Sequence, residues 1–234
     1  MTAAWMLPLV AIATAFSACG GEQAADDETQ GGGVTVAALG DSITAGSPLW
    51  DPDPSVRSQI GNPIERSQFE YWASQADPRL EFRNCGVFGE RVDQIAARLG
   101  DCADGADVLV VQGGINDIAQ SLGRRRALAR APERAAHGLD SIVSQGKAMG
   151  LPVVLVDVLP WNNGYPTATD AIVELNRRIH AIGRERNVPV VPFHDALEDP
   201  AQPEQMRPDL TTDGDHPSID GYRRLGELLA QRLG

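Results

Sequence analysis

Val108-Leu109-Val110-Val111-Gln112-Gly113-Gly114-Ile115-Asn116-Asp117 carries an unbroken apolar run into a glycine pair and two short polar side chains. A run without polar alternation suits a strand covered on both faces, as inside a parallel sheet. The same texture recurs on either side. With Val108–Gln112, the segments Val34–Leu39, Leu80–Asn84, Val153–Leu159 and Val188–Val191 predict five strands. Between them apolar residues return at helical spacing: Val92, Ile95, Ala96 and Leu99; Ala135, Leu139, Ile142 and Val143. Ile172, Leu175, Ile179 and Ile182 repeat the pattern, as do Tyr222, Leu225, Leu228 and Leu229. Alternating strands and helices with right-handed crossovers give a three-layer, doubly wound α/β domain on a five-stranded parallel sheet, flavodoxin-like in plan. Ligands of such sheets bind beyond the carboxyl ends of the strands, so chemistry is expected in the residues that follow each run.

Composition narrows the function. The 234-residue chain has a net charge of −12, with 20 Lys and Arg against 32 Asp and Glu. That balance repels a phosphate backbone, and no basic stripe with interleaved aromatics offsets it, so nucleic-acid binding is not expected. The 24 glycines and 16 prolines fall short of a low-complexity composition. Three cysteines (Cys19, Cys85, Cys102) and four histidines (His137, His180, His194, His216) show neither Cys-x-x-Cys nor His-Glu-x-x-His spacing, so no metal site is expected. No phosphate-cradling glycine motif follows a strand, so no nucleotide cofactor is expected.

At the amino end the first charged side chain is Glu22, and an apolar run, Trp5–Ala18, precedes Cys19. The run is short for a membrane span and fits the core of an export signal. Phe16-Ser17-Ala18-Cys19 is similar to the lipobox of bacterial lipoproteins, where the cysteine becomes the lipidated amino terminus. Phe16 in an aliphatic position, and the lack of Lys or Arg ahead of the run, depart from that pattern; a plain secretory signal is the alternative. Residues 1–19 are thus expected to be a signal peptide with Cys19 as lipidation point. Residues 20–33 read as a glycine-rich acidic tether and 34–234 as the folded domain. The expected location is the bacterial cell envelope, with membrane contact through a lipid anchor, or otherwise a secreted or periplasmic state. Cys85 and Cys102 then remain as a pair in an exported protein. A disulfide would close a loop of roughly 15–18 residues and stabilise by about 3 kcal/mol; two free thiols are the alternative.

Four short segments sit where strands end. Gly40-Asp41-Ser42-Ile43 can project a hydroxyl into the cleft, or merely cap a helix. Asn84-Cys85-Gly86-Val87-Phe88-Gly89 has glycines that let a backbone N–H approach a ligand, or forms an ordinary turn. Gly113-Gly114-Ile115-Asn116-Asp117 offers an amide donor, or an Asx-turn. In Asp213-Gly214-Asp215-His216-Pro217 an aspartate three residues before a histidine can orient the imidazole, or belongs to a solvated acidic loop. Together the four supply a nucleophile, a base, an orienting carboxylate and separate oxyanion donors.

In these blocks the chain resembles the SGNH hydrolases, also called GDSL-type esterases and lipases, over essentially all of 34–234. The resemblance implies a carboxylic ester hydrolase that needs no metal or cofactor, with Ser42 as nucleophile, His216 as general base and Asp213 orienting it. It implies an oxyanion hole made by the N–H of Ser42, the N–H of Gly89 and the Asn116 amide. Gly86 competes for the second place, and the spacing from Asn84 favours Gly89. Ile43 stands where Leu is usual. The partner implied is a small-molecule ester, short-chain acyl or aryl. Alternatives are acetylated carbohydrates, motivated by Trp161, Asn162 and Asn163, and lysophospholipids or thioesters. Binding of an acylated ligand without turnover, and acyl transfer to an alcohol, are further readings.

Asp41 and Asp117 are expected to brace their loops. His194, in Pro192-Phe193-His194-Asp195, is a rival base but lacks an orienting pattern and reads as a hydrogen-bonded structural histidine. His137 and His180 read as ordinary helical residues, and Arg124-Arg125-Arg126 with Arg130 as a solvated face. Trp50 and Trp161 are expected beside the cleft, and Trp72 in packing.

Overall fold

Along β1 (Val34–Gly40) the side chains of Val36 and Ala38 are buried on one face of the sheet, and those of Ala37 and Leu39 on the other. β3 (Val108–Val111) and β4 (Val153–Val156) divide in the same way: Leu109, Val111, Val153 and Leu155 against Val110, Val154 and Val156. This two-sided burial is why the strands read as continuous apolar runs. With β2 (Leu80–Gly86) and β5 (Val190–Val191) they form a parallel sheet of order β2-β1-β3-β4-β5. The computed structural model describes residues 1–2 and 32–234. The signal segment, Cys19 and most of the tether read from the sequence therefore lie outside the described residues. Among those described, no helix is long and apolar enough to cross a membrane.

Ten helices flank the sheet among the described residues: α1 (Ser42–Ala45), α2 (Pro54–Arg57), α3 (Phe69–Ala76), α4 (Val92–Ala97), α5 (Leu99–Ala103), α6 (Ile115–Ala119), α7 (Arg125–Ala148), α8 (Thr169–Arg186), α9 (Phe193–Leu197) and α10 (Ile219–Leu233). One layer packs Ile95, Leu139, Ile142, Leu175 and Ile179 of α4, α7 and α8 on the sheet. The other packs Phe69, Phe193, Tyr222 and Leu225 of α3, α9 and α10. A hairpin of β6 (Glu198–Asp199) and β7 (Gln202–Met206) follows α9.

Strand ends differ from the sequence reading for identifiable reasons. β2 runs on past Asn84 because its pairing with β1 continues to Gly40–Gly86. β3 ends one residue earlier than read, at Val111, although Gln112 N still donates to Leu39 O at 2.9 Å. β4 stops at Val156, not at Leu159, because the Asn176 side chain takes over as partner, accepting from Val158 N at 2.8 Å and donating to Val158 O at 2.8 Å. β5 begins at Val190 rather than Val188, since Pro189 has no N–H for the ladder. The helical stretch read across Val92–Leu99 breaks at Arg98, between α4 and α5.

Register sets the functional edge. Gly40 pairs with Gly86, and Leu39 pairs with Val111, so three strands finish side by side. The residues that follow them leave the sheet together.

Candidate active site

Asp41 caps α1, its Oδ1 accepting from Ile43 N at 3.0 Å, and Ser42 opens the helix directly beyond the sheet. The Asp41 N–H and the Thr44 hydroxyl both donate to Gln112 Oε1, at 3.1 and 2.9 Å, which ties this turn to the end of β3. Against it comes the 209–218 loop. Thr212 N and Thr211 Oγ1 each donate to His216 O at 2.9 Å, and Ser218 caps α10. The loop is thereby held before α10 packs on α3.

These two segments, 174 residues apart, bring His216 Nε2 to 3.2 Å from Ser42 Oγ. His216 Nδ1 lies 2.9 Å from Asp213 Oδ2. A carboxylate only accepts, so the imidazole proton sits on Nδ1 and Nε2 faces the serine as an acceptor. Burial raises the Asp213 carboxyl, but hydrogen bonds from the His216 ring and from the backbone N–H of His216 and Asp215 outweigh it and hold the group below its usual range. Asp213 therefore stays charged beside the imidazole. Ser42 and His216 are both buried.

The loop after β2 supplies the facing wall. A Cβ on Gly86 would meet Ala45 N at 2.0 Å, so this glycine permits close approach of α1. Gly89, at φ +78°, has open space where a Cβ would stand, and its N–H, like that of Ser42, donates to no atom among the described residues. This favours Gly89 over Gly86 as the donor-bearing glycine. Asn116, near the start of α6, donates through Nδ2 to Glu90 O at 3.0 Å, and Gln120 Nε2 donates to Gly89 O at 2.8 Å. Asp117 accepts from Val92 N at 3.0 Å, so it braces the loop as read from the sequence. Cys85 and Cys102 form a disulfide just behind.

Residues 38–224 match the GDSL-like lipase/acylhydrolase family. The chain belongs to that family. It is accordingly an SGNH-type hydrolase of the esterase/acylhydrolase kind. No curated protein sequence matches it. Among solved structures it is similar to a lipolytic protein of the G-D-S-L family from Desulfitobacterium hafniense, with TM-score 0.67 and 19% identity over 85% of this chain and 98% of that one. A GDSL-like lipase from Bacteroides thetaiotaomicron gives TM-score 0.65 and 21% identity over 85% and 87% of the two chains. A variant of an acetyl-xylooligosaccharide esterase from Geobacillus gives TM-score 0.65 and 21% identity over 87% and 95%. These likenesses carry the fold.

Beside Ser42 this GDSL hydrolase has a pocket of about 160 Å³, walled by Ile115, Ala119, Val158, Leu159 and Trp161. Phe88, 64% exposed, leans over the His216 ring with centroids 6.1 Å apart. Trp161 lines the cleft as expected, with its indole N–H donating to Asp215 Oδ1. Trp50 does not line it; the Arg57 guanidinium stacks 4.5 Å from its ring. The two asparagines that motivated a sugar site are occupied. Asn162 bonds both ways with the Met206 backbone, at 2.6 and 3.0 Å, and Asn163 Nδ2 donates to Asp213 O and Asp215 Oδ1 at 2.9 and 2.7 Å.

Three residues to which the sequence reading gave no role complete the site. Gln112 ties Ser42's turn to β3. Asp215 holds Trp161 and Asn163. Arg98 donates to Cys85 O at 2.7 Å and Gly40 O at 3.1 Å, and meets Glu90 Oε2 at 2.6 Å, so it clasps two strand ends and the loop that bears Gly89. For Gln112 and Arg98 the only sequence signal is polarity within otherwise apolar segments, whereas Asp215 lies inside the Asp213–Pro217 block with nothing there to mark its partners.

Proposed function

We propose that this protein is an exported serine esterase acting on short-chain acyl or aryl esters through an acyl-enzyme on Ser42. The observation that carries the reading is the unbroken chain Ser42 Oγ–His216 Nε2 at 3.2 Å and His216 Nδ1–Asp213 Oδ2 at 2.9 Å, opening on a small apolar pocket. The serine oxygen attacks the ester carbonyl carbon while His216 Nε2 takes its proton. The carbonyl oxygen, now negative, is received by the N–H groups of Ser42 and Gly89 and by the Asn116 amide. The carbon–oxygen bond to the alcohol then breaks, and His216 returns the proton to the leaving oxygen. Water repeats the sequence and frees Ser42. Donors of this kind are worth about 3–4 kcal/mol each at comparable sites.

The size of the pocket favours short acyl groups, since pockets that enclose drug-sized ligands run to about 300–1,000 Å³. An acetylated carbohydrate is the second reading. It is favoured by the exposed Phe88 ring over His216 and by the likeness to an acetyl-xylooligosaccharide esterase, whereas Asn162 and Asn163 no longer support it. Export is supported by the Trp5–Ala18 run and by the disulfide, which suits an oxidising compartment. Anchoring through Cys19 predicts that a fatty-acid label enters the wild type and not Cys19→Ala.

Nitrophenyl acetate, butyrate and octanoate test the activity directly. Acetate and butyrate should turn over faster than octanoate, and Ser42→Ala should lose about 10⁴-fold or more in kcat. A folded wild type that releases no nitrophenol, yet deacetylates xylo-oligosaccharides, moves the assignment to the second reading. Inactivity on both ends the esterase proposal.

A further inference from the structure

A second cavity, of about 220 Å³, is lined by Asp157, His180, His194, Asp195, Glu198 and Glu204, and shares no lining residue with the catalytic pocket. Among the described residues no Lys or Arg lines it, so four carboxylates face two imidazoles without a fixed cation. Its floor is rigid. His194 N donates to Asp157 Oδ1 at 2.8 Å, and Asp157 Oδ2 lies 3.0 Å from His180 Nε2.

The His194 ring is the anomaly. The residue is 8% exposed, yet among the described residues neither ring nitrogen makes a hydrogen bond, against the sequence reading of a satisfied structural histidine. Its Nε2 is buried and stands at ion-pair distance, 3.2 Å, from the buried Glu204 Oε2 without forming a hydrogen bond to it. Its Nδ1 stands 3.7 Å from Oδ1 of Asp195, which also lines the cavity. A buried imidazole left unbonded is disfavoured. Glu204 also occupies the left-handed region at φ +66°, uncommon for a residue with a long side chain, while its N–H donates to Glu198 Oε1 at 2.7 Å. The hairpin thus adopts an unfavourable backbone in an arrangement that turns a carboxylate onto His194.

We infer that this cavity binds a divalent transition-metal ion, with His194, Asp195 and Glu198 as ligands and Glu204 orienting the His194 ring from behind. One donor atom from each of the three ligands lies within 4.8 Å of the others. An ion about 2.0–2.2 Å from each requires them about 3.4 Å apart. Asp195, whose side chain is 81% exposed, is free to make that closure. A carboxylate behind a metal-bound imidazole fixes its tautomer and raises its basicity. One imidazole nitrogen and two carboxylate oxygens suit Zn²⁺, Co²⁺ or Mn²⁺. The expectation of no metal site rested on ligand spacing; here two ligands are adjacent on α9 and the third opens the hairpin. The ion would pin β6 to α9, and β7, paired with β6, in turn holds Asn162 beside the catalytic wall.

The test uses the full chain stripped with a chelator, then titrated with Zn²⁺ by calorimetry and with Co²⁺ by absorption, alongside thermal melts. One ion per chain and a raised melting temperature are expected. The double variant Asp195→Asn, Glu198→Gln should bind about 100-fold more weakly, while its metal-free melting temperature stays that of the metal-free wild type. His216→Asn should bind as the wild type does, which separates this site from the triad. Absence of stoichiometric binding, unchanged affinity in the double variant, or loss of binding in His216→Asn each overturns the assignment.

Discussion

Asp41 sits one residue before Ser42 and is wholly buried; Oδ1 caps α1 while Oδ2 has no partner among the described residues. Burial lifts its pKa from 3.8 to about 6, against the opposing pull of Ile43 N and Gln112. The native state therefore keeps a proton that the unfolded chain has already released, and stability falls as pH rises through that interval. The effect is nil below about pH 4 and complete above about pH 6, where it amounts to about 3 kcal/mol. Asp41→Asn keeps the acceptor for Ile43 N–H and abolishes the titration. Urea unfolding should then show the wild type losing about 3 kcal/mol relative to Asp41→Asn between about pH 4 and pH 7. Parallel pH profiles would refute this. At this scale the sequence spoke clearly for Ser42, Asn116, Asp213 and His216, because each lies in a short recognisable block. The first two follow strand ends as expected, whereas the Asp213–His216 block lies in the loop before α10 and not at the end of a sheet strand. Gln112 and Asp215 were silent: each acts by reaching the backbone or a side chain of a distant segment, and local spacing does not encode that reach.

Elements were legible where an apolar period is long. α7, α8 and α10 lie where their apolar stripes placed them, and all five strands are present. Their ends were not legible, because ends are decided by partners: Asn176 replaces a strand neighbour at Val158, and Pro189 withholds a donor. The break at Arg98 is the instructive case. A continuous helix through Leu99 would satisfy the apolar pattern, but the chain turns there, and the guanidinium reaches Gly40 O, Cys85 O and Glu90. Glu90 O in turn receives the Asn116 amide, so on the proposed mechanism Arg98 is a positioning residue for the oxyanion donors. Arg98→Met retains the stem and removes all three contacts. Its kcat on a short ester should fall about 10- to 100-fold with KM little changed, because misplaced donors act on the transition state. Equal falls at every step with a large rise in KM would instead mean that substrate binding had been disrupted.

Over the whole molecule, the parallel order makes β2 an edge strand, paired only with β1. Yet β2 leads directly into the loop that bears Gly89, so that loop hangs on a strand supported from one side only. Two ties compensate: the Arg98 clasp, and the disulfide from Cys85 at the end of β2 to buried Cys102 in α5, 17 residues on. Closing a loop of that length constrains the unfolded chain by about 3 kcal/mol. The double substitution Cys85→Ala, Cys102→Ala should therefore lower the melting temperature by about 6–12 °C for a domain of this size. Reductant should lower the wild type by a similar amount and leave the double variant unmoved, which separates the crosslink from the packing of the cysteine side chains. A wild type whose melting temperature is indifferent to reductant, with the cysteines shown to be free thiols, would mean that the edge strand is held by β1 and Arg98 alone.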